Sequence, residues 1–161
     1  MNAPSGVVTF LFTDIEGSTR KWEADPTAMR VALQAHNEVL REMVAAHDGT
    51  VFNYTGDGMC AVFASPRSAV DAAIAAQRKL ELPVRMGIST GEAELRGGDY
   101  YGTVLNRTAR IMAAGHGGQI LRERAQSAHV WRRVGVQTRT LAEKAASRLR
   151  PGGASARRTR P

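Results

Sequence analysis

The stretch Phe10–Thr19, FLFTDIEGST, constrains the fold more than any other part of the chain. It continues an apolar run, Val7, Val8, Phe10, Leu11 and Phe12, of the β-branched and aromatic kind that fills a buried strand. Gly17-Ser18-Thr19 breaks the run, and Asp14 stands at its end. Nothing in a buried strand calls for a carboxylate, and an unpaired buried charge is costly. A second stretch, Asn53–Phe63 (NYTGDGMCAVF), reads as a hairpin: a strand Thr50–Tyr54, a TGDG turn, and a strand Met59–Phe63. It sets Asp57 at another strand tip. Asp57 has two readings. Asp and Gly are what such a turn favours; alternatively, Asp14 and Asp57 together hold a divalent cation, with waters and substrate phosphates completing its shell.

The rest of the chain supplies layers for these strands. Gly17–Trp22 opens a short helix, where Gly17, Ser18 and Thr19 either offer backbone N–H groups to a phosphate or provide a plain N-cap through Ser18 or Thr19. Asp25-Pro26 starts a long helix. Met29, Leu33, His36, Leu40, Met43 and His47 share its apolar face, and Gly49 is the expected stop. His36 and His47 match no metal-binding spacing and read as structural or rim residues. Ser65-Pro66 starts an alanine-rich helix that Pro83 ends. Val84–Gly91 alternates Val84, Met86, Ile88 and Thr90 as a strand, with Arg85 and Ser89 on its other face, and Glu92–Arg96 extends it. After Gly97-Gly98, the loop DYYG leads into a helix from Thr103, where Asn106 and Arg110 are four apart and share a face. Gly115–Gly118 is a turn, and Gln119–Leu121 begins a strand. The order β-α-α-β-β-α-β-α-β predicts an α+β sandwich: a mainly antiparallel sheet with helices on one face.

Composition narrows the function classes. With 161 residues, 43% hydrophobic and 23% charged, the chain suits one domain with a real core. No apolar run approaches the roughly 20 residues of a membrane span. MNAPSGVV lacks the basic flank and apolar core of a signal peptide, and a lone cysteine, Cys60, excludes disulfides within the chain; both favour the cytoplasm. The net charge of +7 is uneven: residues 1–121 carry 11 Lys/Arg and 13 Asp/Glu, and residues 122–161 carry 11 and 2. The domain is expected over 1–144. The tail 145–161 (AASRLRPGGASARRTRP) is expected to be disordered and solvated, and not a nucleic-acid-binding arm. Steep loss of DNA binding with salt would mark the latter.

FTDIEGST, TGDG and DYYGTVLNRTAR, in that order, resemble the catalytic domain of class III nucleotide cyclases in their actinobacterial form, over residues 7–121. The resemblance implies a ferredoxin-like core related to polymerase palms. It implies an adenylyl cyclase, in which the 3′-hydroxyl of ATP attacks the α-phosphate, cyclic AMP forms and pyrophosphate leaves. Two Mg²⁺ or Mn²⁺ ions per site would be held by Asp14 and Asp57, with the Ile15 carbonyl as a further ligand. Gly17, Ser18 and Thr19 would meet phosphate, Asn106 would orient the ribose, and Arg110 would stabilise charge on the α-phosphate. Asp99 would accept from the adenine amino group. Asn53 stands where adenylyl cyclases usually carry a lysine, which implies weaker selection of ATP over GTP. The family pattern implies a head-to-tail homodimer with two shared sites, the metal aspartates from one subunit and Asn53, Asp99, Asn106 and Arg110 from the other. Past Arg122 the resemblance fades. A strand is expected within Val134–Leu141, and Lys144 or Arg148 stands in for a triphosphate-binding lysine. The competing reading is a weak or inactive cyclase-like domain that binds nucleotide or regulates.

Overall fold

A computed structural model describes residues 3–123 and the backbone of Thr138–Thr140. The first strand, β1 (Gly6–Ile15), lies inside the sheet. It pairs antiparallel with β3 (Gly58–Phe63) on one side and with β4 (Val84–Arg96) on the other. β2 (Thr50–Thr55) pairs antiparallel with β3, while β6 (Ile120–Arg122) runs parallel to β4. β7 (Thr138–Thr140) runs parallel to β6, giving the order β2-β3-β1-β4-β6-β7. β5 (Asp99–Tyr101) pairs with the far end of β4. The sheet is therefore mixed and largely antiparallel. β7 falls within the expected Val134–Leu141; the rest of that stretch, Lys144, Arg148 and the tail 145–161 lie outside the described residues.

Val8–Thr13 are buried without a break, because both faces of the sheet are covered. On one face, α2 (Pro26–Ala46) and α3 (Pro66–Lys79) pack on Leu11, Met59, Phe63, Met86 and Ile88. On the other, Phe10, Phe12, Val62 and Tyr100 form a layer with Val104 of α4 (Thr103–Ala113). The expectation of helices on one face is corrected here. A continuous apolar run, unlike an alternating one, needs cover on both sides, and α4 supplies the second. Phe10 meets Phe52 and Tyr100 edge-on, with ring centroids 5.7 and 5.4 Å away. Such contacts are worth about 0.5–1.5 kcal/mol beyond area burial.

Helix starts follow local chemistry. The Asp25 carboxylate accepts from the Ala28 amide at 3.0 Å, with Pro26 in the first turn, and Ser65 caps α3 in the same way. The end of α2 corrects the sequence reading. The left-handed residue is Asp48, at φ 59°, and not Gly49. Gly49 is required for close approach instead, since a Cβ there would run into the Phe63 ring and Val44. α1 (Ser18–Ala24) is capped by the backbone of Gly17, at φ 69°, with no side-chain cap. Ser18 and Thr19 are thus first-turn residues and not the N-cap.

Candidate active site

Strand pairing brings the two acidic positions to one end of the sheet. Thr13 of β1 stands opposite Met59 of β3, so the Gly56-Asp57 turn lies beside the last residues of β1. The Thr13 hydroxyl accepts from the Met59 amide at 3.2 Å. Gly58 approaches so closely that a Cβ there would sit 2.6 Å from the Thr13 carbonyl oxygen. The hairpin is docked against the strand that carries Asp14.

Asp14 is not the unpaired buried charge that the strand pattern suggested. It is 24% exposed and stands opposite Arg85 in the β1/β4 register. Arg85 donates to Asp14 Oδ2 from Nη2 at 2.6 Å and from Nε at 3.0 Å, and its Nη1 reaches the Ala113 carbonyl at the end of α4 at 3.4 Å. Sequence alternation placed Arg85 on the less apolar face of β4 but gave no partner, because register between strands 71 residues apart is not local information. Asp57 differs: its Oδ2 is buried with no hydrogen-bond partner among the described residues. Leaving such an oxygen unpaired costs free energy. Burial pushes the His36 imidazole on α2 below its ordinary pKa, while the Asp57 carboxylate acts in the opposite direction, so the two groups sense each other.

The segment after Asp14 is tied down by a residue the sequence did not flag. The Ile15 side chain is 2% exposed and anchors the strand end. The Glu16 amide donates to the Pro83 carbonyl at 2.8 Å. The Glu16 carboxylate accepts from the Gly117 amide at 2.7 Å and from His116 Nδ1 at 2.9 Å. The Gly117 bond, then the His116 bond, hold its carboxyl below the ordinary 4.5. Gly17, Ser18 and Thr19 follow directly.

The other candidates face outward. Asn53 is exposed on β2, just past a register shift between Val51 and Asn53, and its Oδ1 accepts from the Tyr54 amide at 2.8 Å. Asp99 is exposed at the start of β5. Asn106 and Arg110 are exposed on α4, whose inner face buries Val104, Thr108 and Ile111. Thr108 bonds Ser89 of β4, and Arg107 bonds the Thr90 carbonyl at 3.0 Å, which fixes the helix and the direction of its outer face. None of these four hydrogen-bonds Asp14 or Asp57 within the chain, among the described residues. Cys60 is buried, and burial pushes its thiol up to about 11, which excludes it as a nucleophile near neutral pH.

The donor set suits a hard cation. Two carboxylates and backbone carbonyls offer only oxygen, and the orphaned Asp57 Oδ2 lacks a partner that an ion would supply. Among the described residues no group of three or more His, Cys, Asp or Glu side chains converges on an ion. No helix among the described residues is long and apolar enough to cross a membrane.

Comparison with known proteins identifies the family. The family "Adenylate and Guanylate cyclase catalytic domain" matches residues 2–130. An uncharacterized Mycobacterium tuberculosis protein is 37% identical over 122 residues, 73% of this chain and 43% of that protein. An adenylate cyclase of Podospora anserina is 34% identical over 152 residues, covering 73% of this chain but 7% of its own length. The chain thus spans less than half of these relatives. The structure of a Trypanosoma brucei adenylate cyclase in its monomeric state superposes with a TM-score of 0.69 at 26% identity, covering 78% of this chain and 76% of that one. With a family match across most of its length and the same mixed sheet with helices on both faces, the chain belongs to the adenylate and guanylate cyclase catalytic domains.

Proposed function

We propose that the chain is an adenylyl cyclase domain that converts ATP to 3′,5′-cyclic AMP and pyrophosphate at sites shared between two copies. The observation that carries this is the end of β1, where an orphaned Asp57 oxygen and a guanidinium-paired Asp14 stand beside a helix start. Asp14, Asp57 and the Ile15 carbonyl would hold two Mg²⁺ or Mn²⁺ ions. Bound ions of this kind make a hydroxyl a better nucleophile and neutralise the attacking and leaving oxygens.

The chain's own residues do the positioning, which is most of the protein's work in phosphoryl-type transfer. Gly17, Ser18 and Thr19 face phosphate oxygens with first-turn N–H groups. Arg85 keeps Asp14 in register. Arg110 spreads donors over the charge that builds on the α-phosphoryl oxygens, a task suited to a planar guanidinium. Asn106 orients the ribose by hydrogen bonds. Asp99 accepts from the adenine amino group, which guanine lacks. Asn53 donates to a ring nitrogen through its amide NH₂, since its oxygen is taken by Tyr54.

The exposure of Asn53, Asp99, Asn106 and Arg110, with none of them bonded to Asp14 or Asp57, supports assembly of the site from two copies. Each copy carries both halves, so a homodimer suffices. A nucleotide-binding regulatory domain with little turnover is the second reading. It is favoured by the Arg85 pairing of Asp14 and by the neutral amide at position 53. Cyclic AMP and cyclic GMP formation from ATP and GTP with Mg²⁺ or Mn²⁺, in wild type and Asp57→Asn, tests the choice. Metal-dependent cyclic AMP formation that falls at least a hundredfold in Asp57→Asn supports the cyclase; nucleotide binding without turnover supports the second reading.

A further inference from the structure

His36 and Asp57 share an uncommon condition. His36 is 3% exposed on α2, and neither of its ring nitrogens has a hydrogen-bond partner among the described residues. Asp57 Oδ2, on the β2–β3 hairpin, is buried and unpartnered in the same way. Native structures rarely leave buried polar atoms so, because each gives up its bonds to water and gains none. An apolar side chain would fill the place of His36 at less cost, so the ring calls for an explanation.

Packing sets the two groups at the same end of the sheet. α2 begins shortly after β1 ends, and Gly49, just past α2, lies against the Phe63 ring, opposite Thr9 near the start of β1. The helix therefore runs from the Asp14 end of the sheet to the other end. Between them, Leu40 and Met43 of α2 join Met59 of β3 in one buried cluster. One turn from Leu40 toward the Asp14 end is His36, and two residues from Met59 toward the same end is Asp57. Burial keeps the ring neutral, with one N–H to donate, and the Asp57 carboxylate is the charge that acts on it. We infer that His36 is a positioning residue for Asp57: its N–H becomes the outer hydrogen-bond partner of the carboxylate when Asp57 takes a cation, and fixes which way the carboxylate faces. The structure shows no bond between them; it forms as the carboxylate turns onto the ion. Metal-ligating carboxylates are ordinarily held by such partners, whose loss costs about ten- to a hundredfold in metal affinity. This inference rests on the metal site proposed above.

The test is calorimetric binding of α,β-methylene-ATP, which cannot be cyclised, to the full chain in Mn²⁺ and in EDTA. The quantity read is the gain in affinity that Mn²⁺ brings. His36→Leu replaces an unpartnered ring with an apolar side chain, so it should melt at or above the wild-type temperature. It should nonetheless lose about tenfold of the Mn²⁺ gain, with its affinity in EDTA unchanged. His36→Gln, which restores an N–H donor, should recover most of that gain. The same loss in both variants, or no loss in either, would make His36 a packing residue and overturn the inference. A wild type with no Mn²⁺ gain would overturn the metal site itself, and this inference with it. If His36→Leu does not fold, the wild-type chain still decides. With the analogue bound, Mg²⁺ should move the His36 ring signals saturably in an NMR titration, while His47, bonded to the Met43 carbonyl at the other end of α2, stays still. His36 signals that do not respond to Mg²⁺ would overturn the inference.

Discussion

Gly58 is the point where fold and site depend on one atom, and Gly58→Ala is the sharpest perturbation of both. An alanine Cβ would stand 2.6 Å from the Thr13 carbonyl oxygen and 2.6 Å from Thr55 Oγ1, where ordinary contact begins near 3.4 Å. The hairpin must therefore withdraw from β1 by roughly 0.8 Å, and overpacking of this kind costs about 1–3 kcal/mol. At about 2–4 °C per kcal/mol for a chain of this size, the melting temperature should fall by roughly 2–12 °C. The same withdrawal separates Asp57 from Asp14, and a misplacement of about 1 Å costs on the order of a hundredfold in rate. Gly56→Ala is the control. Gly56 sits at φ 61° with nothing within 4 Å of a Cβ, so it suffers only the left-handed backbone penalty of about 1–2 kcal/mol. Thermal melts and cyclic AMP assays should show comparable loss of stability in the two variants, but a far larger loss of activity in Gly58→Ala. A Gly58→Ala protein that melts and turns over like wild type would refute the docking of hairpin on strand, and with it the juxtaposition of the two acids.

Other consequences are independent of that contact. Asn53→Lys exchanges a neutral hydrogen bond for a charged one, a difference of about 1 kcal/mol, so the ratio of kcat/KM for ATP over GTP should rise about fivefold; an unchanged ratio would remove Asn53 from base selection. Glu16 is held below 4.5 in the folded chain by Gly117 and then His116, so its contacts stabilise the fold above that value and are lost as pH falls through the lowered pKa. The melting difference between wild type and Glu16→Gln should be present at pH 6 and close as acid is added; a difference that grows in acid would reverse the assignment. Cys60, with its thiol pushed up to about 11, should resist iodoacetamide at pH 8 in the folded chain and react after denaturation, as mass spectrometry would record.

Local signals carried much of this fold. The Asp25 cap, the helix start at Ser65-Pro66, the hairpin turn and the strand from Val84 each depend on a few adjacent residues, and the structure shows them where the sequence placed them. What escaped was set by partners far along the chain. Arg85 meets Asp14 across 71 residues, and Glu16 meets His116 and Gly117 across about 100, through register and loop docking that no window of sequence contains. The unbroken apolar run in β1 already called for cover on both faces, and α4 supplies the second. Gly49 was taken for a helix stop because glycine usually supplies the left-handed residue; here Asp48 does so, and Gly49 answers to the Phe63 ring. The candidate residues themselves were all legible as motif positions. Their division into the metal aspartates and an outer set of Asn53, Asp99, Asn106 and Arg110 was what the family resemblance implied.

That division leads to a single decisive mixture. Asp14→Ala and Arg110→Ala are each expected to be inactive as pure dimers, because every site lacks one half. When the two are mixed, each heterodimer regains one intact site from its two wild-type halves, so random pairing should restore about a quarter of wild-type cyclic AMP formation. Sizeable activity in either pure variant, or a mixture that stays as silent as its components while heterodimers form, would contradict a catalytic site built from Asp14 of one copy and Arg110 of the other.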